Sequence, residues 1–472
     1  MADRKTAAIV LAGGDGKRLK SDTPKALHDA AGRPLLVHVL AALEPLGLGQ
    51  VVVVVATTRR AEIEAAVAAA GLDLTVEYAT QDSPRGTGDA AQEGVALLSG
   101  EVKHVIVLAG DSPLLRTQTI ATLMESHAPA SIAATVVTAH LEDPTGYGRI
   151  IRNGSGEIER IVEERDATDE ERLIKEINTG AYIFDVDALE VALPKLGTDN
   201  AEAEYYLTEA VALMLAEGQK VGGVHATASE ASGVNSRAQL AAAARELQRR
   251  ACERWMAEGV SIVDPNTTYI DPSVSIERDA VILPFTFLEG ATSIGKGARV
   301  GPQTRVVDSS IGDGAEVTFA VVKGSEIGEN ASVGPFASLR PGTKLGRGAR
   351  IGTFVETKET SIGEGSKANH LAYLGDATIG TGVNVGAGTI TCNWDGQEKH
   401  ETVIDDDAYI GSDTMIVAPA HIGKRAATGA GSVVKGDVPD DALAVGVPAR
   451  VMKGKGDKMG RGAGTKTGEP RE

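Results

Sequence analysis

Residues 270–306 read IDPSVSIERDAVILPFTFLEGATSIGKGARVGPQTRV. Ile270, Ile276, Ile282, Leu288, Ile294, Val300 and Val306 recur every six residues, each followed by small and polar residues. After a one-residue slip the beat resumes at Ile311 and Val317. It returns at Ile327, Val333, Leu339, Leu345 and Ile351, and again at Ile404, Ile410, Ile416 and Ile422. A six-residue apolar period fits neither the turn of an amphipathic helix nor the alternation of a simple strand. It predicts a parallel β-helix, in which three short strands make one coil and one aliphatic side chain per strand points into a narrow core. The N-terminal half lacks the beat and is expected to be a separate domain.

Composition agrees with both halves. Hydrophobic residues make up 42% of the 472 residues, as in a globular protein. Aromatics are only 3%, while glycines number 56. That suits a thin core of Ile and Val with Gly at tight corners. The formal charge of −18 argues against nucleic-acid binding through bulk charge, so a phosphate ligand needs a local basic site. Cys252 and Cys392 make no disulfide framework, which points to a reducing, cytoplasmic location. The opening MADRK and the short apolar strand after it do not read as a signal peptide. No apolar run approaches the ~18 residues of a membrane span.

Residues 1–236 alternate strand-like runs (Ala7–Leu11, Val51–Val55, Val105–Leu108, Ile132–Val137, Ala181–Phe184) with helical patches (Arg60–Ala70, Gln118–Ser126, Ala203–Ala216). This order predicts a parallel α/β sheet. Residues 237–258 read as one linker helix with a Leu240, Ala244, Leu247, Ala251, Trp255 stripe, Asn235 or Ser236 to cap it and Gly259 to end it. Such a helix would span about 33 Å, enough to hold two domains apart. Residues 259–453 are the solenoid, and 454–472 (GKGDKMGRGAGTKTGEPRE) read as a disordered tail.

The first strand runs into Leu11-Ala12-Gly13-Gly14-Asp15-Gly16-Lys17-Arg18-Leu19, then Pro24-Lys25. Glycines directly after a strand let backbone N–H groups approach phosphate, and Arg18 and Lys25 add positive charge. The loop is neither a Walker A motif nor a clean G-x-G-x-x-G, and alone it reads equally as a tight turn. It is followed by Gln81, Gly86-Thr87-Gly88 and Leu108-Ala109-Gly110-Asp111-Ser112-Pro113, the last placing an acid just past a buried strand where a ligand crevice opens. Further on come Gly146-Tyr147-Gly148-Arg149-Ile150, Ile161-Val162-Glu163, Ile177-Asn178-Thr179-Gly180 and Val234-Asn235.

With the repeats, these motifs resemble the bifunctional N-acetylglucosamine-1-phosphate uridylyltransferase/glucosamine-1-phosphate acetyltransferases of bacteria, over residues 6 to about 445. The resemblance implies an α/β fold: a Rossmann-like nucleotidyltransferase domain, a long linker helix and a left-handed parallel β-helix of hexapeptide repeats. It implies uridine contacts from Leu11, Gly14, Gln81, Gly86 and Thr87, triphosphate contacts from Arg18 and Lys25, sugar contacts from Gly148, Glu163 and Asn178, and Mg²⁺ ligation by Asp111 and Asn235. Lys17 stands where Thr is common in such sequences, and Asp89 where His is common.

The beat breaks after Ile351. There follow Phe354-Val355-Glu356-Thr357-Lys358, Asn369-His370-Leu371-Ala372-Tyr373, Asn384 to Ala387, and a polar insertion from Cys392 to His400. His370 suits a base near neutral pH, although a histidine on a coil by itself reads as a surface residue. The same resemblance makes His370 the acetyl-transfer base. It assigns glucosamine 1-phosphate to Arg340, Lys358, Tyr373 and Asn384. Acetyl-CoA falls to Ala387, Asn393, Trp394, Ser412 and Ala430, with Arg450 on a CoA phosphate and Lys399 nearby in the insertion. Trp394 replaces the more usual Tyr and loses its hydroxyl. Cys392 reads as a small apolar residue rather than a nucleophile. A homotrimer with active sites between solenoids is also implied.

The activity so implied is acetyl-CoA-dependent N-acetylation of glucosamine 1-phosphate, then uridylyl transfer from UTP to N-acetylglucosamine 1-phosphate, supplying a precursor of peptidoglycan and lipopolysaccharide. The alternatives are another sugar-1-phosphate nucleotidyltransferase fused to an acyltransferase of different specificity, and a non-catalytic protein that kept both folds. Arg18, Lys25, Asp111, Asn235 and His370 together argue against the last.

Overall fold

The computed structural model describes residues 5–14, 16–127 and 132–455. Most of the Gly-rich tail, 456–472, and the side chain of Lys17 lie outside the described residues. The chain forms two compact units, Met1–Leu247 and Gln248–Glu472.

The first unit is built on a nine-stranded sheet. Its strands are β1 (Thr6–Leu11), β2 (Gln50–Ala56), β3 (Val76–Gln81), β4 (His104–Ala109), β5 (Ile132–His140), β6 (Arg149–Arg152), β7 (Ile158–Val162), β8 (Glu176–Asp185) and β9 (Lys220–His225). The path runs β9-β5-β8-β4-β1-β2-β3, with the β6/β7 hairpin attached through β8. Val51 to Val55 are all at most 2% exposed, so this run of β-branched residues is covered on both faces. Alternate residues feed two cores. Ile9, Val52, Val54 and Val107 pack on one face, and Val10, Val53, Val55 and Leu108 on the other.

The sheet is mixed rather than parallel throughout. β8, which carries the expected strand Ala181–Phe184, pairs antiparallel with both β4 and β5. The β6/β7 hairpin reverses the chain before β8, a long-range event that local apolar runs do not report. The helical patch expected from Ala203 begins only at Leu207, and Ala203 itself has φ of 53°. Arg149, 1% exposed, ties the hairpin down: it pairs with Glu164 at 2.8 Å and donates to the carbonyl oxygens of Tyr147 and, at 3.5 Å, Arg172.

The helix Arg237–Ala257 bridges the sequence of the two units. Ser236 caps it, its hydroxyl accepting from Gln239 N at 3.2 Å, while the Gln239 side chain reaches back to Asn235 N at 2.9 Å. Gly259, at φ of 94°, ends it, with Val260 N bonded to Trp255 O. The expected stripe is divided. Leu240, Ala244 and Leu247 pack with Leu35, Leu114 and Val234 of the first unit, and Cys252 and Trp255 belong to the core of the second.

The second unit is the parallel β-helix. Every aliphatic residue on the six-residue beat is at most 6% exposed. In-register parallel pairing stacks them into three columns, one per face. One runs Ile276, Ile294, Ile311, Ile327, Leu345, Ile362, Ile379, Ile404, Ile422. Beyond Ile351 the coil does not stop. The beat is masked because Thr357 and Ala368, 0% and 1% exposed, take inward positions in its columns, and Ile362 and Ile379 follow Thr357 and Leu374 after only five residues. Arg450–Met452 closes the solenoid as an antiparallel strand on Leu443–Val445. No described helix is long and apolar enough to cross a membrane.

Ile351, 1% exposed, lies in the third column between Val333 and Ala368. Ile351→Ala is expected to cost about 2–5 kcal/mol of solenoid stability, read as a lower urea midpoint by far-UV circular dichroism.

Candidate active sites

The strand ends of the first unit build a cleft of about 440 Å³. β1 ends at Leu11 and enters the Gly loop, β3 ends at Gln81, and β4 ends at Ala109 just before Asp111. Leu11, Gly14, Arg18, Lys25, Gln81, Gly86, Thr87, Asp111 and Asn235 all line it. Gly16, at φ of 63°, lets the loop lie against Lys25, whose Cβ would stand 2.7 Å from any side chain there. Gly86, at φ of 119°, touches the backbone of Tyr205, which a Cβ would strike. Thr87 accepts from Leu207 N at 3.0 Å.

At one end of this cleft the charges converge. Lys25 Nζ pairs with Asp111 and donates to Asn235 Oδ1 at 2.6 Å, and Arg18 donates to the same oxygen at 2.9 Å. Thus the Asp111 carboxylate and the Asn235 amide oxygen already face a single cation. Two hard oxygen donors beside an open cleft fit Mg²⁺, which fills its remaining positions with water and phosphate oxygen. Among the described residues no cluster of three or more His, Cys, Asp and Glu is arranged for a metal.

Gly148, Glu163 and Asn178 form a second group. A Cβ at Gly148 would stand 3.4 Å from Glu163 Oε2, and Asn178 N donates to Gly148 O at 2.8 Å. The Asn178 amide is held at a bulge in β8, donating to Tyr182 Oη at 2.5 Å and accepting from Gly180 N at 3.1 Å. Burial pushes the Glu163 carboxyl above the usual range, with Glu202 and Asp166 adding to the shift and a 3.0 Å hydrogen bond from Thr208 opposing it. The helix Leu207–Ala216 joins the two groups: Leu207 N reaches Thr87 and the Thr208 hydroxyl reaches Glu163. The sequence reading passed over Thr208, Tyr205 and Glu204, which carry no motif of their own.

On the solenoid, parallel pairing places Glu356 beside Tyr373, Lys358 beside Gly375, Thr353 beside His370 and Lys367 beside Asn384. His370 is exposed at a corner. Arg340 pairs with Glu356 at 3.0 Å. The Lys399 ammonium lies against Lys358 and, with a smaller push from Arg340, holds the Lys358 pKa below the ordinary lysine range. Three cations therefore share one face, with Glu356 on Arg340 and Asp376 near Lys358 as opposing charges, and an incoming dianion would relieve the Lys358–Lys399 repulsion. Asn393, 8% exposed, donates to Asp376 and, at 3.4 Å, to Tyr373 Oη. Trp394 is 58% exposed and bridges back to Lys399.

Ala387, Ser412 and Ala430 stack on successive coils of one corner, with Asp413 N bonded to Ala387 O and Gly431 N to Ser412 O. Arg450 sits apart from that row, on the closing antiparallel strand. Burial pushes the Cys392 thiol up, away from a nucleophilic thiolate.

Sequence comparison gives the same two halves. Residues 7–255 match the nucleotidyl transferase family, and residues 324–358 match the bacterial transferase hexapeptide (six repeats) family. The chain is 47% identical over 446 residues to the bifunctional protein GlmU of Carboxydothermus hydrogenoformans, covering 94% of this chain and 98% of that one. It is 46% identical to the GlmU of Streptomyces avermitilis over 94% of this chain and 92% of that protein. With the GlmU of Mycolicibacterium gilvum the identity is 47%, over 95% and 91% of the two chains. A nucleotidyltransferase sheet, a capped helix and a hexapeptide solenoid thus occur in one polypeptide that aligns with these relatives almost from end to end, and the chain belongs to the GlmU family of bifunctional enzymes of UDP-N-acetylglucosamine synthesis.

Proposed function

We propose that the solenoid transfers acetyl from acetyl-CoA to the amine of glucosamine 1-phosphate, and that the cleft then transfers uridylyl from UTP to the N-acetylated product. The observation that carries the uridylyl half is the meeting of Arg18, Lys25, Asp111 and Asn235 at the glycine end of the cleft.

In the cleft, Leu11, Gly14, Gln81, Gly86 and Thr87 hold the uridine, and Gly148, Glu163 and Asn178 hold the sugar. Asp111 and Asn235 would hold Mg²⁺, which when bound would neutralise triphosphate charge. Lys25 and Arg18 bind the phosphates. A phosphate oxygen of the sugar attacks the α-phosphorus, a P–O bond forms, and the bond to pyrophosphate breaks. Catalysis is positioning plus charge stabilisation, with no covalent protein intermediate.

On the solenoid, Arg340 and Lys358 take the sugar phosphate, Lys399 adding a third cation, while Tyr373 and Asn384 orient the sugar. Acetyl-CoA lies along Ala387, Ser412 and Ala430, with Asn393 and Trp394 at the thioester end and Arg450 on a CoA phosphate. His370 takes the amine proton as nitrogen attacks the thioester carbonyl; the C–N bond forms and the C–S bond breaks.

The solenoid acts as a homotrimer. Along one corner Phe285, Phe336, Phe354 and Leu371 are 53–60% exposed, each at positive φ, and the Phe336 and Phe354 rings stack at 5.6 Å. Apolar side chains in a strained, solvent-facing row are what a second copy of the chain would cover, at about 1.5–3 kcal/mol for each side chain buried. Leu371 directly follows His370, so the same contact closes the acetyl-transfer site. A cytoplasmic enzyme of this kind meets all its substrates in one compartment.

His370→Ala is expected to abolish thiol release from acetyl-CoA with glucosamine 1-phosphate and to spare pyrophosphate release from UTP. Asp111→Ala reverses the pattern, with a loss of 10²-fold or more. If either change removed both activities in a folded protein, the two-site reading would fail. Phe354→Asp should lower the mass seen by light scattering to that of a monomer and remove acetyl transfer only. Glu163 has a folded pKa raised above the ordinary 4.5, so its contribution to stability is greatest below 4.5 and is lost as pH rises through the raised value. Glu163→Gln is therefore expected to raise Tm at pH 7 more than at pH 4 while raising the KM for N-acetylglucosamine 1-phosphate.

A further inference from the structure

Asp89 is a buried carboxylate, 6% exposed, in the first turn of the helix Thr87–Val95, and neither transfer uses it. Its Oδ2 accepts from Gln81 Nε2 and its Oδ1 from Arg85, both at 2.5 Å. Arg85 is held in turn, its guanidinium 5.6 Å from the centre of the Tyr205 ring and its carbonyl oxygen accepting from Tyr205 N. A carboxylate only accepts. It therefore decides which end of the Gln81 amide turns toward it, and that end is the NH₂. The carbonyl Oε1 is left pointing to the Gly loop, where a Cβ at Gly13 would stand 3.0 Å from it, and both residues line the cleft. A glutamine free to flip offers a base either a donor or an acceptor; this one offers an acceptor.

We propose that Asp89 is a positioning residue for base selection: by locking the Gln81 amide it makes the cleft favour a nucleobase presenting a ring N–H, as uracil does at N3, over one presenting a bare ring nitrogen, as cytosine does. The inference rests on the placement of uridine in the cleft.

Asp89→Asn tests it. Arg85 retains the side-chain oxygen, so the new NH₂ faces Gln81, which must turn its carbonyl toward it and its own NH₂ into the cleft. With N-acetylglucosamine 1-phosphate as acceptor, kcat/KM for UTP is expected to fall about tenfold or more, chiefly through KM, and the UTP:CTP ratio to fall with it. Adding Arg85→Ala frees the amide to turn back and should recover several-fold of that ratio. A merely structural role predicts equal losses for both nucleotides. Equal losses, or an unchanged ratio in an Asp89→Asn protein of wild-type melting temperature, would overturn the proposal. Gln81→Ala separates the two layers: if it leaves the ratio unchanged, the uridine placement itself falls.

Discussion

A cross-section wide enough for one aliphatic side chain per strand governs the C-terminal half. It forces the six-residue period, because each short strand has room for one inward aliphatic side chain before the chain must turn. It also turns the second buried position of many strands into a threonine. Thr286, Thr343 and Thr414 are at most 1% exposed, and each hydroxyl bonds a carbonyl oxygen three residues earlier, at 2.6–2.7 Å. At these three corners the buried hydroxyl is thereby paired, whereas the hydroxyl of Thr402, also buried, has no partner. The outward side chains form rows that repeat from coil to coil: Ala387, Ser412 and Ala430 follow one another on a corner, and Lys358 stands beside Gly375 as Glu356 stands beside Tyr373.

The N-terminal half solves the opposite problem. Its central strands are covered on both faces, so their side chains are spent on packing and function is displaced to their ends. Leu11, Gln81 and Asp111 stand at or just past the ends of three strands close together in one sheet, and Asn235 is brought back to them from the start of the long helix. Sequence separations of over 200 residues vanish there: Lys25 and Asn235 are joined by one hydrogen bond.

How much of this was legible in the sequence follows from what is local. The beat is local, and it gave the solenoid and its core columns. The Gly loop and the acid after β4 are local as well, because a parallel strand announces its own end. What escaped was pairing set by distant chain. Nothing in Ala181–Phe184 tells that its strand runs against its neighbours, since an apolar run has no direction. Lys399 could be seen to sit in an insertion, but its contact with Lys358 depends on how that insertion folds back through the Trp394–Lys399 bridge. Asp89 stood out as an unusual residue type, but its role depends on Gln81 eight residues away, across a turn and on the other side of a strand end.

Arg149 never meets solvent, yet its planar fork gathers Tyr147, Glu164 and Arg172 from three stretches of chain. A lysine carries a single nitrogen and no fork, and would leave some of those partners unsatisfied. Gly148 and Glu163 each adjoin a member of that knot. The wall that carries Gly148 and Glu163, proposed above to face the sugar, is thus hung on a hidden bolt, and its alignment is most easily disturbed from behind.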